Sequence, residues 1–534
     1  MQQQQYRPAR IFFWLALWLL ATLWVRPLLP PDEGRYVGIA YDMLRLHDWS
    51  TPRLDGLPFF HKPPLFYWIT AASLKIFGFH VWAARAASVL GALVVAAVLF
   101  WFMDRWLNRR AAALAVFVFA TMPLFFGAAQ YASMDALVGA LIAITIMLLA
   151  TASERMQRGQ PAGLALPLAY VASALGVLTK GLIGLALPGL VMLLWLMLER
   201  RWSHLYRLVS LPGIVLFVLI AVPWFALMEA KFPGFLYYTF IYQQFDRYVT
   251  TGFNNPQPVY FYPAILFLGL LPWSLLLTYL TVRAKRQGLT GHPLTRLAWV
   301  WIGAILLFFS IPNSKLIGYI LPVVPAFALL AGHWLERHWE IAKWRRAAWA
   351  CAWGGAALGI AAVIVTTVED RKSLVDLSDT VRAQMKPGDE VMFIESYYYS
   401  VPFYLHRAQP IRVMGQWNNP QYSAGDSWTT ELYTSASFDP VAKREILVTP
   451  DRIKHYVCSS IVTWAFMPDW AKSQYPLVAA SPEVAHQYGV GVYRLGGQKG
   501  PKAAQEVCGD GDRAQHQDQR PGIGQRGVGQ EPGV

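Results

Sequence analysis

The sequence predicts an α-helical polytopic membrane protein with about 11–13 transmembrane helices and a small C-terminal α/β domain. The chain has 534 residues, of which 55% are hydrophobic and only 15% are charged, against about 25% charged residues in soluble domains. Its mean hydropathy is +0.33, and the apolar residues fall in long uninterrupted runs. Three cysteines are too few for a disulfide-rich scaffold and show no zinc-ligand spacing.

Eleven apolar runs are predicted to cross the membrane, because a span needs about 20 mostly apolar residues to cover roughly 30 Å of hydrocarbon. The first run is predicted to be a retained anchor and not a signal peptide, since it is long and no small-x-small cleavage site follows Pro30–Pro31. The runs lie near residues 11–29, 82–103, 111–128, 136–152, 162–179, 182–198, 208–227, 263–282, 297–312, 316–334 and 347–367.

The basic residues predict the orientation of these spans. The 46 lysines and arginines exceed the 32 acidic residues by 14. With the N-terminus inside, eighteen of the cations fall in inner segments, which agrees with the positive-inside rule. The net charge therefore reflects topology, and no nucleic-acid partner is expected. The outer connections after the first hold only four cations: Lys180, Lys231, Arg247 and Lys315.

The first outer loop, residues 30–81, is too long for a simple connector. Asp32 is placed like an N-cap, and the apolar residues that follow it recur with helical spacing. The pattern predicts a short interfacial helix whose first turn presents Asp32, Glu33 and Arg35 to water at the membrane surface. The apolar face of that helix comprises Tyr36, Ile39, Ala40, Met43 and Leu44.

The second half of this loop contains a turn with Asp55, followed by His61 and Lys62 before two prolines. The apolar segment 65–79 is too short to span and contains Lys75, which predicts an interfacial or re-entrant helix. Lys62 would lie just before its N-terminus, where an ammonium and free N–H groups can hold a phosphate. In the alternative interpretation the carboxylates only cap a helix and the lysines reach lipid phosphates. The concentration of charged residues in this one loop favours a functional site over that alternative.

Each remaining outer connection contributes polar groups. Together they predict an outward-facing cavity with a few carboxylates and several cations, suited to an anionic phosphate substrate that lies partly in the bilayer. The contributing residues are Asp135, Lys180, Gln244, Arg247, Lys315 and Tyr319.

The last part of the chain changes to a mixed polar composition. A helix at 377–385 and strands at 390–394, 410–414, 445–448 and 490–494 predict a small α/β domain over 369–495. An odd number of spans places this domain in the periplasm of a bacterial inner membrane, where Cys458 and Cys508 could pair. Residues 496–534 are predicted to be disordered.

Several short signatures resemble one family across residues 1–370. Their order and spacing resemble the aminoarabinose lipid A transferase group, which is close to the dolichyl-phosphate-mannose type of integral membrane glycosyltransferases with the GT-C fold. The signatures are Asp32-Glu33-x-Arg35-Tyr36, Gly56 through Lys62-Pro63-Pro64-Leu65, Met134-Asp135, Leu178-Thr179-Lys180-Gly181, Pro233-Gly234-Phe235, Phe245-x-Arg247 and Lys315-x-x-x-Tyr319-Ile320-Leu321-Pro322.

The resemblance implies a GT-C-like transmembrane domain over 1–368. It would transfer a sugar outside the membrane from a polyprenyl-phosphate donor to lipid A or another envelope acceptor. The resemblance makes Asp32 the main catalytic carboxylate, acting with Glu33 and Asp135. The residues implied to bind the donor phosphate are Arg35, Tyr36, Lys62, Arg247, Lys315 and Tyr319. Those implied to line the substrate cavity are Asp55, His61, Lys180 and Gln244.

Two positions depart from the family pattern. His61 stands where members commonly have a glutamate before Lys-Pro-Pro, and Gln243–Gln244 stand where a Glu-His pair is expected. These departures leave open the donor sugar and the use of a divalent metal. Two alternative functions also stay open. One is protein O-glycosylation from the same type of donor, and the other is a non-catalytic polyprenyl-lipid binder or flippase.

Overall fold

The computed structural model describes residues 7–246, 256–286, 291–368, 373–497 except 424 and 426, and Cys508; the side chains of 244–246 and 283–286 are not described. The first half of the chain is helical, and a short hairpin, β1 (Arg53–Leu54) and β2 (Leu57–Pro58), interrupts it. Its helices are α1 (Pro8–Leu20), α2 (Asp32–Arg45), α3 (Leu65–Phe77), α4 (Val81–Ala84), α5 (Ala86–Trp106), α6 (Arg109–Ala120), α7 (Pro123–Ala129), α8 (Met134–Gln157), α9 (Ala165–Lys180), α10 (Ile183–Leu198), α11 (Trp202–Arg207) and α12 (Leu211–Lys231).

The helical part continues to Val368. It comprises a π-helix (Tyr237–Asp246), α13 (Phe261–Gly269), α14 (Trp273–Arg286), α15 (Pro293–Ser310), a 3-10 helix (Ile317–Val323), α16 (Val324–His338) and α17 (Ala342–Val368).

Each of the eleven predicted spans falls on an apolar helix. Within the described residues, six spans are long and apolar enough to cross a membrane unaided, and two more are helix pairs, α6–α7 and α13–α14. These pairs bend by 70° and 106°. Pro123 is the first residue of α7 and Pro272 lies between α13 and α14, and proline cannot donate a helical hydrogen bond to the preceding turn. The other three predicted spans fall on the shorter helices α1, α9 and α10. The prediction of a polytopic helical membrane protein is confirmed.

The C-terminal domain is built on a six-stranded sheet in the order β5-β4-β3-β6-β8-β7, with β5 through β6 parallel and β8 antiparallel to both of its neighbours. Its strands are β3 (Glu390–Ile394), β4 (Arg412–Met414), β5 (Leu447–Val448), β6 (Thr463–Pro468), β7 (Glu483–Gln487) and β8 (Val490–Leu495). Its helices are α18 (Val375–Gln384), α19 (Val401–Leu405), α20 (Trp428–Ser437), α21 (Pro440–Ile446), α22 (Ile453–Val457) and α23 (Pro476–Ala479).

The prediction of an α/β domain is therefore confirmed, but two strands were not predicted. The buried strand β6 ends at a proline, and β7 is a polar edge strand without an apolar run. Residues 445–446 belong to a helix. Cys458 and Cys508 form a disulfide, whereas the rest of the predicted disordered tail from 498 onward lies outside the described residues.

The C-terminal domain packs directly on α2. A Cβ on Gly34 would lie 2.8 Å from the backbone nitrogen of Ser400, so only glycine allows this approach. The Tyr41 hydroxyl donates to the Arg407 carbonyl at 2.7 Å, and the Leu28 N–H donates to the Tyr404 hydroxyl at 2.7 Å. The prediction that the first turn of α2 faces water is wrong for Glu33, which is buried, whereas the side chain of Asp32 is 47% exposed. Asp32 is also not the N-cap, because Pro31 occupies that position.

Candidate active site

Glu33 lies in a buried cluster with Arg26 and Arg85, which we call the anchoring cluster. Arg85 Nε lies 2.9 Å from Glu33 Oε1, and Arg26 bonds Oε2. The backbone N–H groups of Leu29 and Ala132 donate to the same carboxylate at 2.9 and 2.7 Å. Both carboxylate oxygens are thus fully engaged. The prediction that Glu33 faces water is wrong.

The electrostatics of the anchoring cluster favour a permanently ionised Glu33. Burial alone raises the pKa of this carboxyl, but the charges of Arg85 and Arg26 outweigh burial and lower it to about 2. Arg85 also donates to the carbonyls of Leu23 and Pro27 at 2.6 and 2.9 Å. The cluster therefore ties the end of the first apolar segment to α2 and α5.

Asp32 lies one residue away in a different environment. Its side chain is 47% exposed and forms an ion pair with Arg35, whose Nη2 lies 3.4 Å from Asp32 Oδ1. Arg35 in turn bonds Glu431 of α20 at 3.0 Å and lies over the Tyr399 ring, 5.1 Å from its centroid. The Tyr399 hydroxyl donates to Glu431 at 2.5 Å. A partly exposed carboxylate thus lies beside a cation that the C-terminal domain holds in place.

A second carboxylate, Asp135, pairs with Lys180. Asp135 lies in the first turn of α8, which Ser133 caps through its side chain, and Lys180 is the last residue of α9. The lysine Nζ also lies 4.4 Å from the centroid of the Tyr319 ring. A Cβ on Gly318 would lie 2.4 Å from Asp135 Oδ2, so glycine leaves room for the carboxylate. Three predicted site residues from separate segments therefore meet.

Two tyrosines lie near these carboxylates. Burial raises the pKa of Tyr36 well above its usual value, and the charges of Asp32 and Asp135 raise it further, against the opposing charge of Arg35. Burial and the nearby charge of Asp32 likewise raise the pKa of Tyr131. Both phenols therefore keep their protons at neutral pH and can donate hydrogen bonds. We call Asp32, Arg35, Tyr36, Asp135, Lys180 and Tyr319 the open cluster.

Asp55 and Lys315 lie in closed surroundings. Asp55 forms the two-residue turn between β1 and β2, and its buried Oδ1 accepts from the Ile411 N–H at 2.8 Å. It contacts the C-terminal domain, and its role in a substrate cavity stays a prediction. The ammonium of buried Lys315 donates to the carbonyls of Gln257 and Pro312 at 2.8 and 2.6 Å. Its role toward a phosphate stays a prediction.

His61 and Lys62 lie immediately before α3, as predicted. The His61 ring is 4.2 Å from the Phe59 ring and 6.0 Å from the Tyr238 ring, between centroids. Both His61 and Lys62 are half-buried. The side chain of Gln244 and the whole of Arg247 lie outside the described residues, so their predicted roles stay predictions.

The described side chains contain no group of three or more His, Cys, Asp or Glu that could hold a metal ion. Four residues of these clusters were not predicted: Arg26, Arg85, Tyr399 and Glu431. The arginines had a usable signal, since a cation at the edge of an apolar run requires a buried partner. Nothing in the sequence indicated that Glu431 would lie beside Arg35.

Comparisons with known proteins agree with this architecture. The family model for dolichyl-phosphate-mannose-protein mannosyltransferase matches residues 61–226. The chain is 33% identical over 320 residues to the undecaprenyl phosphate-alpha-4-amino-4-deoxy-L-arabinose arabinosyl transferase of Aeromonas hydrophila, covering 60% of this chain and 58% of that protein. The enzyme of the same name from Enterobacter sp. is 32% identical over 337 residues, covering 62% and 60%. The chain thus spans about three fifths of the length of these relatives.

The solved structures extend the similarity to the C-terminal domain. ArnT from Cupriavidus metallidurans bound to undecaprenyl phosphate matches with a TM-score of 0.79 and 25% identity, over 92% of this chain and 99% of that one. The oligosaccharyltransferase of Archaeoglobus fulgidus in the apo form is 12% identical with a TM-score of 0.54, over 88% and 71%, which shows a shared fold alone. The predicted resemblance and the predicted GT-C fold are confirmed.

Proposed function

We propose that this chain, which shares the fold of ArnT, transfers a sugar from a polyprenyl-phosphate donor to an envelope acceptor. The sugar we propose is 4-amino-4-deoxy-L-arabinose or a related sugar, and the acceptor is lipid A. The observation that carries the proposal is the open cluster, in which a half-exposed Asp32 accompanies an Asp135–Lys180 pair and protonated tyrosines. The relatives named for this donor and the ArnT structure with undecaprenyl phosphate support the choice of substrate.

Asp32 is the proposed catalytic carboxylate. In the transfer, an acceptor oxygen forms a bond to the anomeric carbon while the bond from that carbon to the donor phosphate oxygen breaks. Asp32 takes the proton from a hydroxyl acceptor, or orients the nucleophile when the acceptor is itself a phosphate. Its exposure and its long ion pair with Arg35, at 3.4 Å, leave it able to do so. We assign Glu33 a structural role instead, because its oxygens are already bonded.

The departing polyprenyl phosphate gains negative charge, which nearby cations and hydroxyl donors stabilise. Lys180 is suited to this role because Asp135 and the Tyr319 ring hold its ammonium at one position. Lys62 and Arg247 are proposed to bind the same phosphate. Lys315 would first have to give up its two carbonyl partners.

The proposed topology places residues 1–368 in the inner membrane and 369–495 in the periplasm. The eighteen cations of the inner segments support this orientation. The contact of the C-terminal domain with α2 and Arg35 then sets this domain beside the catalytic carboxylate, on the outer face. The same placement puts the Cys458–Cys508 disulfide in an oxidising compartment.

The proposal is tested by Asp32→Asn in the purified protein, reconstituted with a polyprenyl-phosphate sugar and lipid A. We expect the transfer rate to fall about 10²–10⁴-fold, the usual contribution of a general base, with unchanged thermal stability. Asp379→Asn is the matched control, because Asp379 is 50% exposed and forms the same i,i+3 pair with an arginine, Arg382. Wild-type transfer rates in both variants would refute the assignment of Asp32.

Mass spectrometry of lipid A and envelope proteins, with and without the gene, separates the alternative functions. Sugar missing from lipid A supports the proposal, whereas sugar missing only from proteins indicates protein O-glycosylation. A lipid binder or flippase would instead move a labelled polyprenyl lipid across vesicles without breaking its sugar–phosphate bond.

A further inference from the structure

We propose that a basic cavity at the opposite end of the helical bundle binds the phosphate group of an anionic membrane lipid. The cavity has a volume of about 380 Å³ and lies where α5 and α8 end. Its lining includes Arg105, Trp106, Thr151, Glu154, Arg155 and Arg158. This site does not depend on the proposed sugar transfer.

The cavity is separate from the open cluster by about one membrane thickness. Asp135 lies at the beginning of α8, and Glu154 lies in its last turn. Nineteen residues of α-helix at 1.5 Å each span about 28 Å, which is close to the roughly 30 Å of a bilayer hydrocarbon core. A lipid bound here therefore occupies the leaflet opposite the site of transfer.

The charge balance of the cavity differs from that of its neighbours. Three other arginines at this end are paired with carboxylates: Arg109 with Asp104, Arg110 with Glu336 and Glu340, and Arg296 with Glu199. The cavity, in contrast, has three arginines and one carboxylate among its lining residues. That carboxylate, Glu154, is shared between Arg158 at 3.3 Å and Arg201 outside the lining at 3.0 Å. The lining thus keeps a positive excess that an anion can neutralise.

The cationic side chains are partly pre-organised. Arg155 donates from Nε to the Pro161 carbonyl at 2.8 Å, which fixes the loop after α8 against its guanidinium. Arg105 forms no ion pair with any residue in the described part of the chain, and it lies exposed at the cavity. An arginine fork with unused N–H groups matches the oxygens of a phosphate.

The surroundings favour a lipid over a free phosphate ion. Trp106 lines the cavity, and tryptophan is typical of the headgroup level of a membrane. Trp101, one helical turn before Arg105, is 40% exposed, and Leu164, just after the loop, is 78% exposed. Acyl chains can cover these apolar side chains while the phosphate lies among the arginines, as in basic headgroup pockets between transmembrane helices.

Native mass spectrometry of the full-length protein tests the site with phosphatidylglycerol, with phosphatidylcholine of the same chains, and with inorganic phosphate. The double variant Arg105→Gln/Arg158→Gln should retain phosphatidylglycerol about 100-fold less well, at about tenfold for each lost charge-assisted hydrogen bond to the lipid phosphate. Arg345→Gln/Arg346→Gln is the matched control, because it removes two exposed arginines from α17 with the same change in charge. We expect the control to lose clearly less binding, because Arg345 and Arg346 do not line the cavity and only the general surface attraction, at most about fivefold for each, can be lost.

Three outcomes would overturn the proposal. Equal losses in both double variants would mean only a general attraction of anionic lipid to the basic face. Equal retention of the two lipids would mean that charge does not select the ligand. Displacement of phosphatidylglycerol by millimolar inorganic phosphate would assign the cavity to a soluble anion. Arg105→Lys/Arg158→Lys keeps the charge but loses the guanidinium forks, so it should bind phosphatidylglycerol less well than wild type and better than the glutamine variant. Intermediate binding of this kind separates loss of the site from misfolding.

Discussion

Asp32 and Glu33 are neighbours in the chain, yet they belong to two clusters with opposite properties. In the anchoring cluster, Arg26, Arg85 and two backbone N–H groups engage both oxygens of a fully buried Glu33. In the open cluster, Asp32 is half-exposed and has one long ion pair with Arg35. A carboxylate with every oxygen bonded contributes to stability, whereas an under-bonded one can accept a proton. Within one helical turn, therefore, Glu33 has a structural role and Asp32 has the proposed catalytic role.

The largest expected effect is on the stability of the anchoring cluster. Glu33→Gln leaves Arg26 and Arg85 buried without their counter-charge, and breaking a buried pair in this way costs about 3–5 kcal/mol. Thermal unfolding in detergent should show a large drop in the midpoint. An unchanged midpoint would mean that the cluster does not hold α2 in place.

Lys180→Ala should affect rate more than stability, because its ammonium is partly exposed and its partner Asp135 can be solvated. Loss of one pre-organised group that stabilises the leaving phosphate reduces the rate about 10²–10³-fold. The rate of transfer at saturating donor is the measurement, with Lys231→Ala as the control for an exposed lysine of an outer loop. A loss equal to that of the control would remove Lys180 from the mechanism.

Glu431→Gln tests whether the C-terminal domain tunes Asp32. Without the Glu431 charge, Arg35 is free to pair more closely with Asp32, which weakens Asp32 as a base. We expect a loss of about tenfold in rate, in line with the 1.5–3 kcal/mol of a hydrogen bond to a charged group. Asp439→Asn, which breaks the interdomain pair with Arg53 instead, is the control. Equal losses of rate in the two variants would mean that Glu431 contributes to the docking of the C-terminal domain and does not tune Asp32.

The smallest expected effect is on the pH dependence of stability. The pKa of Glu33 is lowered from 4.5 in the unfolded chain to about 2 in the folded protein. Its contribution is therefore complete above about pH 4.5 and is lost as the pH falls toward 2. The stability difference between wild type and Glu33→Gln should be constant from pH 7 to 5 and narrow below pH 4.5. A difference that widens on acidification would contradict this pKa.

The sequence predicted the membrane architecture well because a membrane span is itself a continuous apolar run, which can be recognised without knowing its distant contacts. It also grouped Asp135, Lys180 and Tyr319 correctly as residues of outer connections that meet. It did not separate Asp32 from Glu33, because the partner Arg85 comes 52 residues after Glu33. Adjacent residues on a helix point about 100° apart, so α2 can bury one carboxylate and expose the other.

The C-terminal domain and its contacts with the rest of the chain were the hardest parts to predict from the sequence. Its strands β6 and β7 carry no alternating pattern, and its contacts reach far along the chain. Asp55, for example, bonds a backbone N–H that lies 356 residues away. A partner at such a distance cannot be identified from the sequence around a turn carboxylate.

The most direct test compares Asp32→Asn with Glu33→Gln in single-turnover transfer from a polyprenyl-phosphate sugar, with each rate divided by the amount of folded protein. The account predicts that Asp32→Asn is fully folded and about 10²–10⁴-fold slower. It predicts that Glu33→Gln is less stable but transfers at nearly the wild-type rate per folded molecule. An active Asp32→Asn, or a folded Glu33→Gln that is inactive, would contradict the division between the two clusters.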